Sequence, residues 1–300
     1  MAAITLPAFA KINLDLRILG TRADGYHDLR TIFQSLELCD TVTVRARRGP
    51  LAIRCDDAAV PTDRRNLVWQ AASNLHRLAA GKAGDVTGLE IDLRKRIPSA
   101  AGLGGGSANA AVTLLALNQL WKLDLDLATL SRFAARIGAD VPFFLAGGTA
   151  LGLGRGDDIY PLEDLPKVHV VILRPGFGVA TEDAYAWYDA ERRPRREPAR
   201  RPAPPGWPAW AATIRNDLEP PVIRHHPAIA RIRQSLLDAG AAVAAMSGSG
   251  SAVFGLFERA DAARRTARGL ARPGWLAVCT RTLTRREYAR RVSGSVARRP

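Results

Sequence analysis

Four of the five residues at 102–106 are glycines, and a helical sequence follows them directly. Because glycine has no Cβ, such a run lets successive backbone N–H groups turn inward and form a cradle for an anion. The Ala- and Leu-rich stretch 107–120 predicts a helix, whose N-terminus adds partial positive charge beside the loop. Alternating residues at 89–97 predict a strand that leads into the loop. Strand, glycine loop and helix in this order predict a phosphate-binding site.

The glycine run also fits a simpler interpretation, since glycines alone are typical of a flexible turn. It is not a Walker A loop, because no Gly-Lys-Ser/Thr follows it. It also departs from the dinucleotide-binding pattern, because Ser107 occupies the position of the third glycine. The longer pattern that begins at Pro98, Pro-x-x-x-Gly-Leu-Gly-Gly-Gly-Ser, is far more restrictive.

The length of 300 residues and the hydrophobic content of 47% allow two domains, each with a core. Glycines, acidic residues and prolines at 152–165 mark the predicted boundary. We therefore predict an N-terminal domain over 1–160 and a C-terminal domain over 161–300. Strands and helices interleave at hairpin spacing in the second half, which favours an α+β domain there.

The formal net charge of +14 is compatible with nucleic acid, anionic lipid or a phosphorylated small molecule as a partner. Much of the positive excess lies in an Arg/Pro-rich segment at 191–205 and in a tail at 281–299. Because prolines prevent a continuous basic helix, we interpret the segment as a solvated loop rather than a nucleic-acid-binding arm. The tail is also expected to be solvated.

The three cysteines, Cys39, Cys55 and Cys279, are widely spaced and form no CxxC motif. This argues against a disulfide framework or a zinc site and for a reducing compartment. No apolar run reaches the length of about 18 residues that a membrane span needs, and residues 1–10 lack a basic leader. We expect a cytoplasmic protein.

Three polar residues outside the glycine loop are candidates for chemistry. Lys11 and Asn13 share the polar side of a strand predicted at 4–19, although a solvated sheet face produces the same pattern. Asp140 lies two residues before a proline and an apolar run, where the ordinary role of an aspartate is to cap a helix. The residues alone leave both alternatives open.

Aromatic residues form a second group of candidates. Tyr26 and His27 follow the turn signal Asp24-Gly25, although such a pair is also typical of packing or of an ordinary surface. Tyr185 lies in a helix predicted at 181–190. A second glycine-serine loop at 246–251 fits a tight turn between two strands as well as a wall of a cleft.

Segments 8–14 with 24–27, 98–107, 138–144 and 246–251 occur in an order that resembles one known family. Their sequences include Ala-Phe-Ala-Lys-Ile-Asn-Leu, Asp-Gly-Tyr-His, Gly-Leu-Gly-Gly-Gly-Ser, Gly-Ala-Asp-Val-Pro-Phe-Phe and Met-Ser-Gly-Ser-Gly-Ser. Together they resemble the GHMP kinases, a superfamily that includes galactokinase, homoserine kinase and mevalonate kinase. The resemblance implies an α+β fold of two domains. The N-terminal one would be a ribosomal-protein-S5-domain-2-like α/β domain, and the C-terminal one a ferredoxin-like α+β domain.

The Tyr26-His27 dipeptide narrows the resemblance to the branch of the superfamily that serves non-mevalonate isoprenoid biosynthesis. That branch implies ATP-dependent phosphorylation of the 2-hydroxyl of a methylerythritol unit that carries cytidine diphosphate. By the same resemblance, Asp140 would be the general base on that hydroxyl. Lys11 would stabilise the ionised carboxylate and the charge that develops on the transferred phosphoryl group.

The resemblance also implies where ATP binds. The β- and γ-phosphates would lie on the loop 102–107. The full ATP-binding segment would be formed by Pro98, Ser99, Ala100, Ala101, Gly102, Leu103, Gly104, Gly105, Gly106, Ser107 and Ala108. The Ser107 hydroxyl would lie near Mg²⁺, which usually keeps several waters and takes substrate oxygens as ligands. Asn109 departs from the family pattern, in which an aspartate is more common, so an acidic group is missing from the start of this helix.

For the substrate, the resemblance implies an aromatic base site. Cytosine would lie between Tyr26 and Tyr185, and His27 would contact the edge of the base. Asn13 would lie near the hydroxyls of the methylerythritol unit.

Two alternative functions stay open. The first is a GHMP kinase of the homoserine or mevalonate type, against which Tyr26-His27 argues. The second is a basic nucleic-acid-binding protein, because the implied N-terminal fold also occurs in ribosomal proteins and a fold does not fix a function. We expect ATP and a small-molecule substrate as ligands, no nucleic-acid or membrane partner, and a monomer or weak homodimer.

Overall fold

The computed structural model describes residues 3–80, 87–191 and 203–293. Most of the Arg/Pro-rich segment predicted as a solvated loop, residues 192–202, lies outside the described residues, as do residues 294–300 of the basic tail. Within the described ranges, none of the helices combines the length and apolarity that are needed to cross a bilayer.

Strands and helices are interspersed along the chain. The strands are β1 (Ala3–Thr21), β2 (His27–Pro50), β3 (Ala52–Cys55), β4 (Thr87–Arg94), β5 (Thr149–Gly154), β6 (Asp158–Pro161), β7 (His169–Pro175), β8 (Arg215–Asn216), β9 (Val243–Met246), β10 (Val253–Phe257) and β11 (Trp275–Arg281). The α-helices are α1 (Leu67–Ala80), α2 (Gly105–Leu120), α3 (Leu127–Ile137), α4 (Phe143–Ala146), α5 (Thr181–Ala190), α6 (Glu219–His225), α7 (Ala228–Asp238), α8 (Ala260–Leu270) and α9 (Arg285–Ser293).

The first sheet is organised around the long antiparallel pair β1 and β2. Its strand order is β3-β4-β2-β1-β8, and β5 pairs with β2 and with β6. Strand β2 runs without a break from His27 to Pro50. Phe9 faces Cys39 and Lys11 faces Ser35, so the extra residues of β2 form a bulge rather than a turn.

This bulge changes what β1 packs against. Before it, Leu6 joins a core formed with helices α1 to α4, whereas after it Ile12 and Leu14 join a core shared with the second sheet. Because side chains alternate along a strand, Lys11 and Asn13 point away from that second sheet. They are only 3% and 2% exposed, so the alternative of a solvated sheet face is wrong.

The second sheet has the antiparallel order β11-β7-β10-β9. Its strand β7 is apolar on both faces, since both are covered. Val171 and Leu173 pack in a core with α7 and α8, whereas Val170 and Ile172 pack against β1 and against Leu103 of the glycine loop. The predicted α+β class is confirmed, and the glycine loop lies where the two sheets meet.

The C-terminal helix α9 overturns the prediction that the tail from residue 281 is solvated. Tyr288 and Val292, spaced four residues apart, bury their side chains with Phe9 of β1. Arg281 forms ion pairs with Glu37 and with Glu287, at 3.0 Å in each case. The basic composition of the segment conceals this apolar stripe.

We expect Tyr288→Phe to lower the free energy of unfolding by about 1–2 kcal/mol. The Tyr288 hydroxyl is buried and donates a hydrogen bond of 2.5 Å to the Phe144 carbonyl, which would lose its partner. Urea unfolding measures the effect, with Tyr160→Phe as a control because Tyr160 is 52% exposed. Equal stabilities of the two variants would show that this hydrogen bond contributes nothing.

Candidate active site

A cavity of about 940 Å³ lies between the two halves of the molecule. The sequence-predicted residues that line it are Lys11, Asn13, Tyr26, His27, Pro98, Ser99, Ala100, Ala101, Gly102, Leu103, Gly104, Gly105, Gly106, Ser107, Asp140 and Tyr185. One cavity therefore collects side chains from β1, from the turn before β2, from the glycine loop and from α5.

Ala108 does not belong to this set. Its side chain is fully buried in the first core, and its N–H donates a 2.8 Å hydrogen bond to the Gly104 carbonyl. Ala108 is therefore absent from the cavity lining, and its N–H is already used within the helix. Helix α2 begins at Gly105, two residues earlier than predicted, so the amides of its first turn are those of residues 105–107.

The start of α2 has the features of an anion site. Gly104 caps the helix in a left-handed conformation, with φ +72° and no side-chain hydrogen bond at the cap. The first turn of the helix carries no acidic residue, so the partial positive charge of its N-terminus is not neutralised within that turn. A Cβ on Gly104 would lie 2.6 Å from Cζ of Phe144 and 3.0 Å from Cγ of Lys11. The loop therefore lies directly against the Lys11 side chain.

The Lys11 ammonium group is held by two neighbours. Its Nζ lies 3.2 Å from Oδ2 of Asp140 and donates a 2.7 Å hydrogen bond to Oδ1 of Asn13. Asn13 in turn donates a 2.8 Å bond from Nδ2 to the Thr31 hydroxyl, which donates at 2.7 Å to the Asp15 carbonyl. This chain of bonds fixes the ammonium beside a carboxylate that is one-third exposed to the cavity.

The alternative role of Asp140 as a helix cap is wrong. Helix α4 begins at Phe143, its N-cap position is Pro142, and no side chain forms a cap hydrogen bond there. The carboxylate of Asp140 instead points to Lys11. Sequence spacing alone favours the cap, because only the tertiary fold brings β1 to this loop.

The second glycine-serine loop closes over the first. The Ser247 hydroxyl donates a 3.0 Å hydrogen bond to the Gly102 carbonyl and accepts one of 3.3 Å from the Asn13 N–H. A Cβ on Gly102, where φ is +73°, would lie only 2.0 Å from the Ser247 carbonyl oxygen. Gly248 also lines the cavity. The loop is thus a wall of the cavity as well as a turn between β9 and β10.

Aromatic side chains occupy another part of the cavity lining. The His27 ring stacks on Tyr185 at a centroid distance of 4.7 Å, and Nε2 of His27 lies 2.8 Å from Oδ1 of Asp189. The Arg155 guanidinium lies 5.3 Å from the centre of the Tyr26 ring. Burial, followed by the nearby Asp140 carboxylate, raises the pKa of Tyr185, so its hydroxyl stays neutral at physiological pH.

Sequence reasoning missed a buried ion pair beside the loop. Lys95 forms a close ion pair with Asp40, whose other oxygen accepts hydrogen bonds from the N–H groups of Arg96 and Ile97, at 2.7 and 2.8 Å. A Cβ on Gly105 would lie 3.3 Å from Nζ of Lys95. The pair fixes the entry into the glycine loop. A lysine three residues before the loop's proline is a weak signal by itself.

The sequence also does not reveal the surroundings of the Asn109 side chain. It is 2% exposed and lines the cavity, and its Oδ1 has no hydrogen-bond partner among the described residues. Across the described ranges, no group of three or more His, Cys, Asp or Glu side chains is arranged to hold a metal ion.

Two family models match the chain. The GHMP kinases N terminal domain matches residues 66–148, and the GHMP kinases C terminal domain matches residues 206–274. The first contains the glycine loop and Asp140, and the second contains the Met246 to Ser251 loop.

Individual relatives agree with these matches. The chain is 43% identical over 280 residues to the 4-diphosphocytidyl-2-C-methyl-D-erythritol kinase of Synechococcus sp. (strain JA-3-3Ab), covering 88% of this chain and 89% of the relative. A crystal structure of 4-(cytidine 5'-diphospho)-2C-methyl-D-erythritol kinase superposes with a TM-score of 0.76 at 37% identity, covering 93% of this chain and 99% of the other.

A homoserine kinase from Cytophaga hutchinsonii shares the fold alone, with a TM-score of 0.65 and 19% identity over 95% of each chain. The chain therefore belongs to the GHMP kinase family and, within it, to the group of the 4-diphosphocytidyl-2-C-methyl-D-erythritol kinases.

Proposed function

We propose that this chain transfers the γ-phosphoryl group of ATP to the 2-hydroxyl of 4-diphosphocytidyl-2-C-methyl-D-erythritol, giving the 2-phosphate and ADP. The observation that carries the proposal is the ion pair of Lys11 and Asp140 in a cavity that also contains a glycine loop and an aromatic cluster. In this proposal the triphosphate binds at the glycine loop, the cytosine at the aromatic cluster and the acceptor alcohol at the ion pair.

In the proposed reaction, Asp140 accepts the proton of the 2-hydroxyl. The alcohol oxygen forms a bond to the γ-phosphorus, and the bond from that phosphorus to the β–γ bridging oxygen breaks, which releases ADP. Lys11 stays protonated and offsets negative charge on the carboxylate and on the phosphoryl oxygens. Asn13 accepts from the ammonium at 2.7 Å and so keeps it in place.

The glycine loop is proposed to hold the triphosphate. Amides at the start of α2 and the helix dipole supply donors and partial positive charge without a side chain. Lys95 adds a cation beside Gly105, where Asp40 restrains it.

Mg²⁺ is proposed to bind with the nucleotide. The Ser107 hydroxyl, which lines the cavity at the start of α2, fits it as an oxygen ligand. Phosphate oxygens and waters would complete the shell, as Mg²⁺ prefers. When bound, the ion neutralises charge on the phosphates.

We expect Tyr26→Ala to raise KM for the cytidyl substrate about tenfold or more while KM for ATP stays within about twofold. Tyr26 lines the cavity near His27 and is 57% exposed as a residue, so truncation removes a stacking surface without emptying a core. Steady-state kinetics with each substrate varied in turn measure the two constants. Equal changes in the KM for the cytidyl substrate and the KM for ATP would show that Tyr26 has only a structural role.

A coupled assay of ADP release tests the proposed function itself. We expect turnover with 4-diphosphocytidyl-2-C-methyl-D-erythritol and none with homoserine or mevalonate. Turnover with homoserine or mevalonate in place of the cytidyl substrate would overturn the assignment. A nucleic-acid-binding function predicts instead an affinity for RNA or DNA that falls steeply with salt concentration.

We further propose that the protein works in the cytoplasm as a monomer or weak homodimer, with its two domains meeting near residue 160. The three cysteines are free, which suits a reducing compartment. Burial raises the pKa of the Cys39 thiol, which lowers its reactivity.

A further inference from the structure

We propose that Asp189 is a positioning residue that fixes the tautomer of His27 and thereby makes the cavity select cytosine over uracil. This inference rests on the proposed function, because it concerns the base of the cytidyl substrate. It adds a second residue of α5, besides Tyr185, to the aromatic part of the cavity lining.

The contact between the two side chains is specific. Nε2 of His27 lies 2.8 Å from Oδ1 of Asp189, across 162 residues of sequence. Both residues line the cavity. The His27 side chain is 10% exposed and that of Asp189 is 53% exposed, so the aspartate reaches from the surface to a largely buried ring.

Two aromatic rings fix the plane of the imidazole. Tyr185 stacks on it at 4.7 Å with an interplanar angle of 22°, and Tyr188 meets it edge-on at 6.0 Å and 90°. With the plane held in this way, the hydrogen bond to Asp189 determines which ring nitrogen faces the helix and which one remains for a ligand.

The chemistry of the carboxylate then determines where the ring proton lies. An ionised carboxylate only accepts hydrogen bonds, so Nε2 of a neutral His27 must carry the proton. The other nitrogen, Nδ1, is then an acceptor. Among the hydrogen bonds that the described residues form, His27 uses Nε2 alone, which leaves Nδ1 for a ligand in the cavity.

An acceptor at this position distinguishes the two pyrimidine bases. Cytosine carries an amino group at its 4-position and can donate to Nδ1, whereas uracil carries a carbonyl oxygen whose lone pairs would face the lone pair of Nδ1. Repulsion of uracil adds to the attraction for cytosine, so the site discriminates between the two bases more strongly than attraction alone would allow. Without Asp189, the proton can move to Nδ1 and the site can donate to uracil.

The test compares kcat/KM for the cytidyl substrate with that for its uridine counterpart, which differs only at the base. In Asp189→Ala, we expect the ratio of the two values to fall about tenfold, mostly through KM, while kcat for the cytidyl substrate stays within about twofold. In Asp189→Asn, we expect most of the selectivity to be retained, because the amide oxygen still accepts from Nε2–H. Asp183→Ala is the matched control, since Asp183 is an exposed carboxylate on the same helix.

A second measurement reads the tautomer directly. In the wild-type protein, ¹⁵N shifts of the His27 ring should show the proton on Nε2, and in Asp189→Ala they should show a mixture. An unchanged substrate ratio in Asp189→Ala, or a wild-type proton on Nδ1, would overturn the inference. Both outcomes differ from failure of the proposed function, in which the wild-type protein turns over neither substrate.

Discussion

Asp140→Asn is expected to lower kcat by about a thousandfold or more while leaving the affinity for ATP within about twofold. Asparagine keeps the size of the side chain and an oxygen for Lys11, whose Nζ lies 3.2 Å from the carboxylate. It cannot accept a proton from the substrate hydroxyl. The loss therefore falls on the chemical step rather than on the glycine loop that holds the nucleotide.

Turnover is measured by ADP release, and ATP affinity by calorimetry on the same preparations. Asp126→Asn provides the matched control, because Asp126 caps α3 by accepting from the Thr129 N–H at 2.8 Å and asparagine caps helices equally well. The control should keep full activity. A near-normal kcat in Asp140→Asn would remove this carboxylate from the mechanism.

Local features of the site could be predicted from the sequence. The glycine loop and α2 follow from residues that are adjacent in the chain, because missing Cβ atoms and helix propensity act over a few positions. The predicted helix start at Ser107 is off by only two residues. The alternation in β1 likewise predicts that Lys11 and Asn13 lie on one side of a strand.

Long-range contacts could not be predicted in the same way. The ion pair between Lys11 and Asp140 joins β1 to the loop before α4, a contact that no periodicity of β1 reveals. The interaction of His27 with Asp189 joins segments 162 residues apart. The family resemblance implies roles for Lys11 and Asp140 because both residues lie within the motifs that carry it. Asp189 belongs to none of the motifs, and only the structure brings it to the site.

Polar or basic composition wrongly predicts solvent exposure where tertiary contacts bury the residues. Helix α9 is rich in arginine, and its basic character conceals the two side chains, Tyr288 and Val292, that anchor it to the first sheet. Similarly, Lys11, Asn13 and Asp40 are polar residues on strands, and each is buried because a partner satisfies it. Burial of a polar group follows from its partners, which a single sequence does not display.

Gly102→Ala is expected to lower both the free energy of unfolding and kcat/KM for ATP. Its backbone has φ +73°, and a Cβ would lie 2.0 Å from the Ser247 carbonyl oxygen, which is a backbone atom and cannot rotate away. The two loops must therefore separate. We expect a loss of about 2–5 kcal/mol in the free energy of unfolding, from the left-handed conformation and from the overlap together. Denaturant unfolding measures this loss.

The same displacement should lower kcat/KM for ATP about a hundredfold, because it moves the amides at the start of α2 away from the pair of Lys11 and Asp140. Gly240→Ala separates the effect of backbone strain from that of the overlap. Gly240 has φ +90°, and a Cβ there would meet no atom within 4 Å. The control should lose about 1–2 kcal/mol from backbone strain and keep its kinetics. Gly102→Ala and Gly240→Ala could instead give the same free energy of unfolding and the same kcat/KM for ATP. That result would show that close contact between the two loops does not position the phosphates beside Lys11 and Asp140.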